Sequence, residues 1–378
     1  MKILWSGFLG RNHSWAIVAQ NISRQLMSMG HSVDLYSTNG SQYFPDDLKP
    51  SLKACLEEKF TQEQFAESES AMQSMYDMQL TYTALKNFPG YLKRGQKNRF
   101  GIWTYEFAGK NSIPAGFAKN YKYCDQLLPP SNFAKQIFLD SGIPESHMTV
   151  IPHGVDPNHV TQAEPFKLKT NKKSKIFINI AQVHRRKNID GALEMYGKAF
   201  NKKDDVCLVI KVHDKKPSQP FELNFNELLS EFKNKYKNHA EIEIVKEFIP
   251  NIYSLYKSCD IMFSASHTEA FGMTALEAQA TGLINIAPRY GGFLDFMDDN
   301  NSLLIEGKEF YVKPNMVYWS YQPGSKAFMP DVTSGAEMLV KAVKEKENLK
   351  PKAEALVPSI LERYDWKQVT QQILELAK

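Results

Sequence analysis

Two carboxylates eight positions apart, Glu269 and Glu277, bracket a glycine in the run His267-Thr-Glu-Ala-Phe-Gly-Met-Thr-Ala-Leu-Glu277. Apolar stretches flank it, Ile261 to Ser266 before and Leu283 to Pro288 after, so the segment reads as strand, loop, helix, strand. At the helix start the amides of Gly272, Met273 and Thr274 have no intrahelical acceptor and stand at the positive end of the helix dipole, which makes an anion site. A carboxylate just outside such a site is unsuited to the anion, so Glu269 is better placed to accept hydrogen bonds from hydroxyls on whatever carries the phosphate. Glu277, about two turns further on, faces a different part of the ligand. Acidic acceptors on both sides of a phosphate cradle suit a sugar nucleotide, which has hydroxyls on both sides of its diphosphate. Gly272 lets backbone approach the ligand, and Gly282 ends the helix in the left-handed conformation.

These residues resemble the donor-site signature of retaining glycosyltransferases of the GT-B fold, the group containing bacterial lipopolysaccharide and mannosyl transferases. The resemblance rests on Glu269, seven residues, Glu277, with Phe-Gly-Met after the first Glu and Ala-Thr-Gly at the helix end. It implies that Glu269 holds the donor sugar, that Phe271, Gly272 and Met273 meet sugar and phosphate through their amides, with Thr274 beside them, and that Glu277 binds the ribose hydroxyls. It also implies the architecture: an α/β chain of two Rossmann-like, doubly wound domains facing across a cleft, with a C-terminal helix crossing back to the first domain. The expected limits are 1–160, 161–355 and 356–378.

Cations for a diphosphate are expected at strand ends. The strand Ile176 to Val183 leads into His184-Arg-Arg-Lys-Asn188 and then a helix for which Asn188 is the natural cap. Where the family commonly reads Gly-Arg followed by Lys-Gly, this chain has Ala181-Gln182 and Lys187-Asn188. By the resemblance Lys187 takes the diphosphate role, and Arg186 is a candidate substitute for the absent Arg. Lys211, inside the apolar run Val206 to Val212, requires an anionic or polar partner and is a second phosphate candidate, with His213 beside it. Phe248-Ile249 resembles the segment on which the donor base lies, and Tyr290-Gly-Gly the glycine turn beneath the donor site.

In the first half, Lys2 to Ser6, a helix from Ser14 and Ser32 to Ser37 form a βαβ unit. Gly7 and Gly10 do not match the dinucleotide fingerprint, which disfavours a nicotinamide enzyme. By the resemblance, amides of the Gly7 to His13 loop meet the donor phosphate, and Arg11, Asn12 and His13 are acceptor-side candidates. Phe100 to Glu106 reads as a strand whose end presents Glu106 for sugar or acceptor. Residues from Tyr43 to Lys97 are the least informative; Glu57 to Glu69, among Phe60, Phe65 and Met72, fit one or two exposed amphipathic helices, and no chemistry is assigned there. Pro152-His-Gly-Val-Asp resembles the family's hand-over between domains, with Gly154 supplying a turn and His153 structural; a polar linker follows to Lys175. The aromatic excursion from Tyr311 to Met329, which contains Tyr318 and Trp319, either covers the cleft or completes the core, and the core is the preferred reading.

The chain has 378 residues, enough for two cores, and 43% hydrophobic residues, a globular value. A net charge of +4 from scattered lysines gives no nucleic-acid footprint. Four dispersed cysteines fit reduced thiols in the cytoplasm. The opening apolar run is too short for a signal peptide and no stretch is long enough to span a bilayer, so any membrane contact is peripheral.

The resulting expectation is a metal-independent, retaining hexosyltransferase of polysaccharide biosynthesis. It moves sugar from a UDP- or GDP-sugar to a glycan, lipid-linked or other hydroxyl acceptor, with no cofactor. No Asp-x-Asp pair is present to hold a metal-bound diphosphate. Two alternatives share the fold: a sugar-nucleotide epimerase, and a silent sugar-nucleotide-binding protein suggested by Gln182.

Overall fold

A computed structural model describes the chain except for residues 11–12, 38–43, 56–75, 93–97, 181, 213–216, 318–320 and 378, and the side chains of 53–55. Arg11, Asn12, His213, Tyr318, Trp319 and the acidic stretch 57–69 lie outside the described residues. Two compact units emerge, one of Met1–Tyr105, Gly109–Gly154 and Tyr364–Lys378, the other of Glu106–Ala108 and Val155–Arg363.

The first unit holds a parallel sheet of β1 (Lys2–Gly7), β2 (Ser32–Ser37), β3 (Leu52–Cys55), β4 (Met78–Tyr82), β5 (Arg99–Ile102) and β6 (Gln126–Leu128), in the order β3-β2-β1-β4-β5-β6. The order reverses between β1 and β4. Helix α1 (Ser14–Ser28) buries Ala16, Val18, Ala19, Ile22 and Leu26 and is followed by Gly30 at φ +84°, the left-handed stop that the sequence signals. Ser131 caps α2 (Asn132–Asp140) by accepting from the Ala134 amide. The C-terminal helix, Trp366–Glu375, packs against α1 in this unit.

Two expectations for this unit change. The strand read through Glu106 stops at Ile102, whose neighbour on β6 is Leu128; Pro129 and Pro130 then follow and cannot extend the ladder with N–H donors. Glu106 therefore does not end β5 but belongs to the second unit. Gly154 is required by close approach rather than by a left-handed turn, because a Cβ there would lie 2.7 Å from the Trp366 ring and 2.8 Å from the Tyr364 carbonyl.

The second unit repeats the plan with β7 (Ser174–Ile180), α3 (Ile189–Ala199), β8 (Val206–Val212), α4 (Phe225–Lys235), β9 (Glu241–Val245), β10 (Ile261–Phe263), α5 (Met273–Ala280), β11 (Ile284–Pro288) and β12 (Leu303–Ile305). Its parallel sheet runs β12-β11-β10-β7-β8-β9, so the order reverses between β10 and β7. Strands covered on both faces read as continuous apolar runs, and every residue of β8 is buried. One face of the sheet places Ile176, Ile178, Ile180, Leu208 and Ile210 in a core with Leu193, Tyr196 and Leu339.

The aromatic excursion forms a hairpin, β13 (Gly307–Tyr311) with β14 (Lys326–Pro330), beyond which run α6 (Val332–Lys344) and α7 (Lys346–Arg363). Val312, Met316, Val317 and Phe328 are buried as a core segment should be, yet Tyr311 is 69% exposed. The stretch read as a polar linker contains a short helix, Pro157–Gln162, capped by Asp156.

Candidate functional site

Open parallel sheets bind ligands at the carboxyl ends of strands where their order reverses. In the second unit that point lies between β7 and β10, and loops from both strands are tied together there. The Asn188 side chain donates to the Ala265 carbonyl at 3.0 Å, and the His267 amide donates to the Arg186 carbonyl at 2.8 Å. Asn188 thus stands at the N-cap position of α3 without its side chain capping the helix. It takes a left-handed conformation, φ +49°, makes no capping bond to α3, and spends its amide on the neighbouring loop.

This cross-link brings Arg186, Lys187 and Glu269 together. Arg186 Nη1 lies 2.8 Å from Glu269 Oε2 and 2.7 Å from the Thr268 carbonyl; Lys187 Nζ lies 2.5 Å from Glu269 Oε1. Glu106 joins from the other side, with Oε1 3.7 Å from Arg186 Nη2. The Ala108 and Lys326 backbones exchange hydrogen bonds of 3.0 and 2.7 Å, and Thr268 Oγ1 donates to the Glu106 carbonyl at 2.6 Å, which fixes the Glu106 segment on β14. Two cations and two anions share a largely dry cluster. Burial would raise the Glu269 carboxyl, but the charges of Arg186 and Lys187 outweigh it and hold the group down at about 2. Asn179, Lys187, Ser264, Ser266, Glu269 and Thr274 line one crevice at this point.

Helix α5 starts beside Glu269 on Gly272, at φ +95°, where a Cβ would strike the Phe293 ring. No side chain caps it, so its first amides have no side-chain acceptor. Gly282 follows its end at φ +74°. The Tyr290-Gly-Gly turn supports the site from below. Gly291 would place a Cβ 2.9 Å from the Glu269 carbonyl, Gly292 has no room for one against Ala270, and the Gly292 amide donates to the Glu269 carbonyl at 2.8 Å. Phe271 is buried against Phe296, which leaves only its backbone for a ligand.

The remaining candidates are placed elsewhere. Glu277 is hydrogen-bonded instead to Tyr256, whose Oη donates to its Oε2 at 2.7 Å, and Asn179 Nδ2 donates to Tyr256 Oη at 3.3 Å. Burial pushes the Glu277 carboxyl up to about 7, against the Tyr256 hydrogen bond. Lys211 is 4% exposed and its Nζ has no hydrogen-bond partner among the described residues; burial lowers its ammonium, with Glu247 the opposing charge. Gln182 is exposed and Arg185 is turned to the Pro220 carbonyl.

In the first unit, Gly7 ends β1 at φ +146°, where a Cβ would lie 3.0 Å from the Tyr82 carbonyl, and Gly10 lies in the loop that follows. His13 caps α1, its Nδ1 accepting from the Trp15 amide at 3.1 Å. His153 is buried with Nε2 3.2 Å from Tyr82 Oη, and burial lowers it to about 3, as befits a neutral structural histidine.

Sequence reading passed over Asn179, Tyr256 and Thr268. Asn179 carried a signal, a polar residue inside Ile176-Phe-Ile-Asn-Ile180, of the same kind that singled out Lys211. Tyr256 and Thr268 carried none. Among the described residues no three His, Cys, Asp or Glu side chains converge as a metal site, and no helix is long and apolar enough to cross a membrane.

Residues 160–314 match the family described as glycosyl transferases group 1, a span that contains Arg186, Lys187, Glu269 and Glu277. The chain is 38% identical to a D-inositol 3-phosphate glycosyltransferase of Saccharomonospora viridis over 69 residues, 17% of this chain and 16% of that one. It is 22% identical to the mannosylfructose-phosphate synthase of Agrobacterium fabrum over 181 residues, 46% of this chain and 39% of that one. The chain thus spans well under half the length of these curated relatives. The fold is that of the Anabaena protein HepE, solved in complex with UDP and glucose, with a TM-score of 0.76 and 13% identity over 100% of this chain and 99% of that one.

Proposed function

With group 1 glycosyl transferases as its relatives and a GT-B fold, we propose that this protein is a retaining glycosyltransferase that takes a sugar from a nucleoside diphosphate sugar and delivers it to a hydroxyl acceptor. The observation that carries the reading is the clamp of Glu269 between Arg186 and Lys187 beside the uncapped start of α5. Glu269 pairs with both cations, and Glu106 beside Arg186 supplies the second negative charge of the cluster. An arriving diphosphate offers them a better partner and draws further hydrogen bonds from the amides of Gly272, Met273 and Thr274. Glu269 then accepts from the hydroxyls of the donor sugar. Arg186, not Gln182, supplies the second cation of the diphosphate site.

In the transfer, the bond from the anomeric carbon to the phosphate oxygen breaks and a bond to the acceptor oxygen forms on the same face. The acceptor proton passes to the leaving phosphate. Negative charge grows on that phosphate as the sugar becomes cationic, so preorganised Arg186, Lys187 and amide dipoles stabilise the transition state more than the ground state. These groups meet the charge without a metal ion. Glu106, held at the same cluster, is the acid available to an acceptor hydroxyl, and Glu277 the acceptor for ribose.

Two other readings make different predictions. An epimerase consumes donor sugar without an acceptor, and a silent binding protein holds nucleotide without turnover. Incubation with a panel of UDP- and GDP-sugars, with and without sugar acceptors, separates them. Release of nucleoside diphosphate that speeds up with acceptor supports transfer; conversion of the sugar with no acceptor supports epimerisation; binding with no release supports the silent protein.

A further inference from the structure

The face of the second unit's sheet away from its aliphatic core carries two polar side chains, Asn179 and Tyr256, that the transfer reaction as described leaves unused. On β7, Phe177 and Asn179 point to the same face, two residues apart. The Tyr256 ring stands edge-on to Phe177, with centroids 5.0 Å apart at 89°, and is fully buried. Packing therefore locks the ring, and the hydroxyl at its end has two partners only a few ångströms away. It takes a hydrogen bond from Asn179 Nδ2 at 3.3 Å and gives its own proton to Glu277 Oε2 at 2.7 Å. Glu277 itself is only partly buried, and its Oε1 accepts no hydrogen bond from a described residue.

We propose that Tyr256 is a positioning residue for ribose recognition: with Asn179 behind it, it holds one oxygen of Glu277 so that the other is aimed at the ribose hydroxyls of the donor. The donated proton does three things. It selects one rotamer of a flexible glutamate, it occupies the oxygen that faces inward, and it leaves Oε1 as the acceptor available outside. A carboxylate held this way loses little freedom when the hydroxyl arrives, which is the benefit of preorganisation. Asn179 can donate to Tyr256 only while the tyrosine hydroxyl directs its proton to Glu277, so the amide fixes the direction of the whole chain. This inference rests on the assignment of Glu277 to ribose.

The test compares binding of UDP, 2′-deoxy-UDP and 3′-deoxy-UDP, with the GDP series in parallel, by calorimetry. Wild-type protein is expected to prefer the ribonucleotide to one of the deoxy forms by about tenfold or more, the size of a hydrogen bond to a charged group. In Tyr256→Phe that ratio should shrink to within about threefold, with deoxynucleotide affinity nearly unchanged. The pH at which ribonucleotide affinity is half lost should also rise, since both Tyr253 and Tyr256 interact with the Glu277 charge but only Tyr256 hydrogen-bonds to it. Tyr253→Phe, which removes the neighbouring hydroxyl, should retain the wild-type ratio. If Tyr256→Phe does not fold, Asn179→Ala takes its place and should narrow the ratio in the same direction. If Tyr256→Phe, or Asn179→Ala in its place, weakens all three nucleotides equally or leaves the ratio intact, the proposal is overturned. Failure of the wild-type protein to bind any of them overturns instead the nucleotide-sugar reading beneath it.

Discussion

Lys187 and Glu269 are 82 positions apart in sequence, and their charged atoms lie 2.5 Å apart at the point where the second sheet reverses its strand order. Each comes from the loop after a different strand, β7 or β10, so the pair closes the switch point. Arg186 holds the other oxygen of the same carboxylate. The pair joins two groups whose proposed work is done apart, the lysine on phosphate and the acid on sugar.

Removing either partner should therefore cost turnover far more than fold. Lys187→Ala and Glu269→Ala are each expected to lower kcat on the order of a hundredfold or more, the cost of one preorganised transition-state contact. The double variant should fall less than the product of the two single effects, because the residues act through one interaction. Nucleoside diphosphate release by purified variants with native circular dichroism is the measurement, and near-normal turnover in either single variant counts against the assignment.

Acid should weaken the second unit through Glu269. Its folded value, about 2, lies below the ordinary 4.5, so the stabilisation is fully present above about pH 5 and is lost as pH falls from there towards 2. Urea unfolding at a series of pH values should show this slope, and Glu269→Gln should flatten it. An unchanged slope in the variant would show that the clamp contributes nothing to acid sensitivity.

Much of this site was legible from residue order alone. The glycines at 272 and 282, the apolar runs around them and the two acids specify strand, loop and helix locally, and α5 begins and ends where they say. Arg186 and Lys187 could be placed in a strand-end loop for the same reason. What escaped depends on partners remote in sequence. Asn188 precedes a helix and looks like its cap, but Ala265, 77 positions away, claims its side chain. The strand read through Glu106 ends early because Pro129 and Pro130 end its neighbour, and Gly154 is small because Trp366 lies over it. No local pattern records such contacts.

The Asn188 cross-link gives a prediction of its own. Asn188→Gly keeps the left-handed backbone and loses only the hydrogen bond to Ala265, whereas Asn188→Ala loses both. Asn188→Gly should destabilise by about 1 kcal/mol, and Asn188→Ala by about 1–2 kcal/mol more. Both should loosen nucleotide binding, since the loop that carries Arg186 and Lys187 loses its tie to the Glu269 loop. Denaturant midpoints with unchanged m-values, read beside nucleotide affinity, check the order of the two variants; equal midpoints would mean that the backbone conformation carries no cost.

The glycine turn offers a backbone test. Gly292→Ala pushes a methyl group against the Ala270 backbone, which must move or take Glu269 with it. The expected result is destabilisation of about 1–3 kcal/mol, the usual cost of overpacking, together with a loss of activity larger than that instability explains. Gly30→Ala is the control: nothing lies within 4 Å of a Cβ there, but φ is +84°, so it should lose stability without a specific loss of turnover.

The two glutamates should respond to pH with opposite signs. Glu277, raised to about 7 by burial, binds its proton more tightly in the folded protein than in the unfolded one. Its contribution to stability is therefore complete below about pH 4.5 and declines as pH rises through 7. Ribose binding runs the other way, because the ionised carboxylate is the stronger acceptor for a hydroxyl, so nucleotide affinity should increase between pH 6 and 8 as Glu277 gives up its proton. Glu277→Gln should remove both slopes at once and leave the acid-side slope of Glu269 untouched. Calorimetric titration of nucleotide across that range, beside urea melts of the same samples, measures the two together. If affinity and stability rise in parallel with pH, or if Glu277→Gln preserves the affinity slope, the proton lies on another group and Glu277 is not the ribose acceptor.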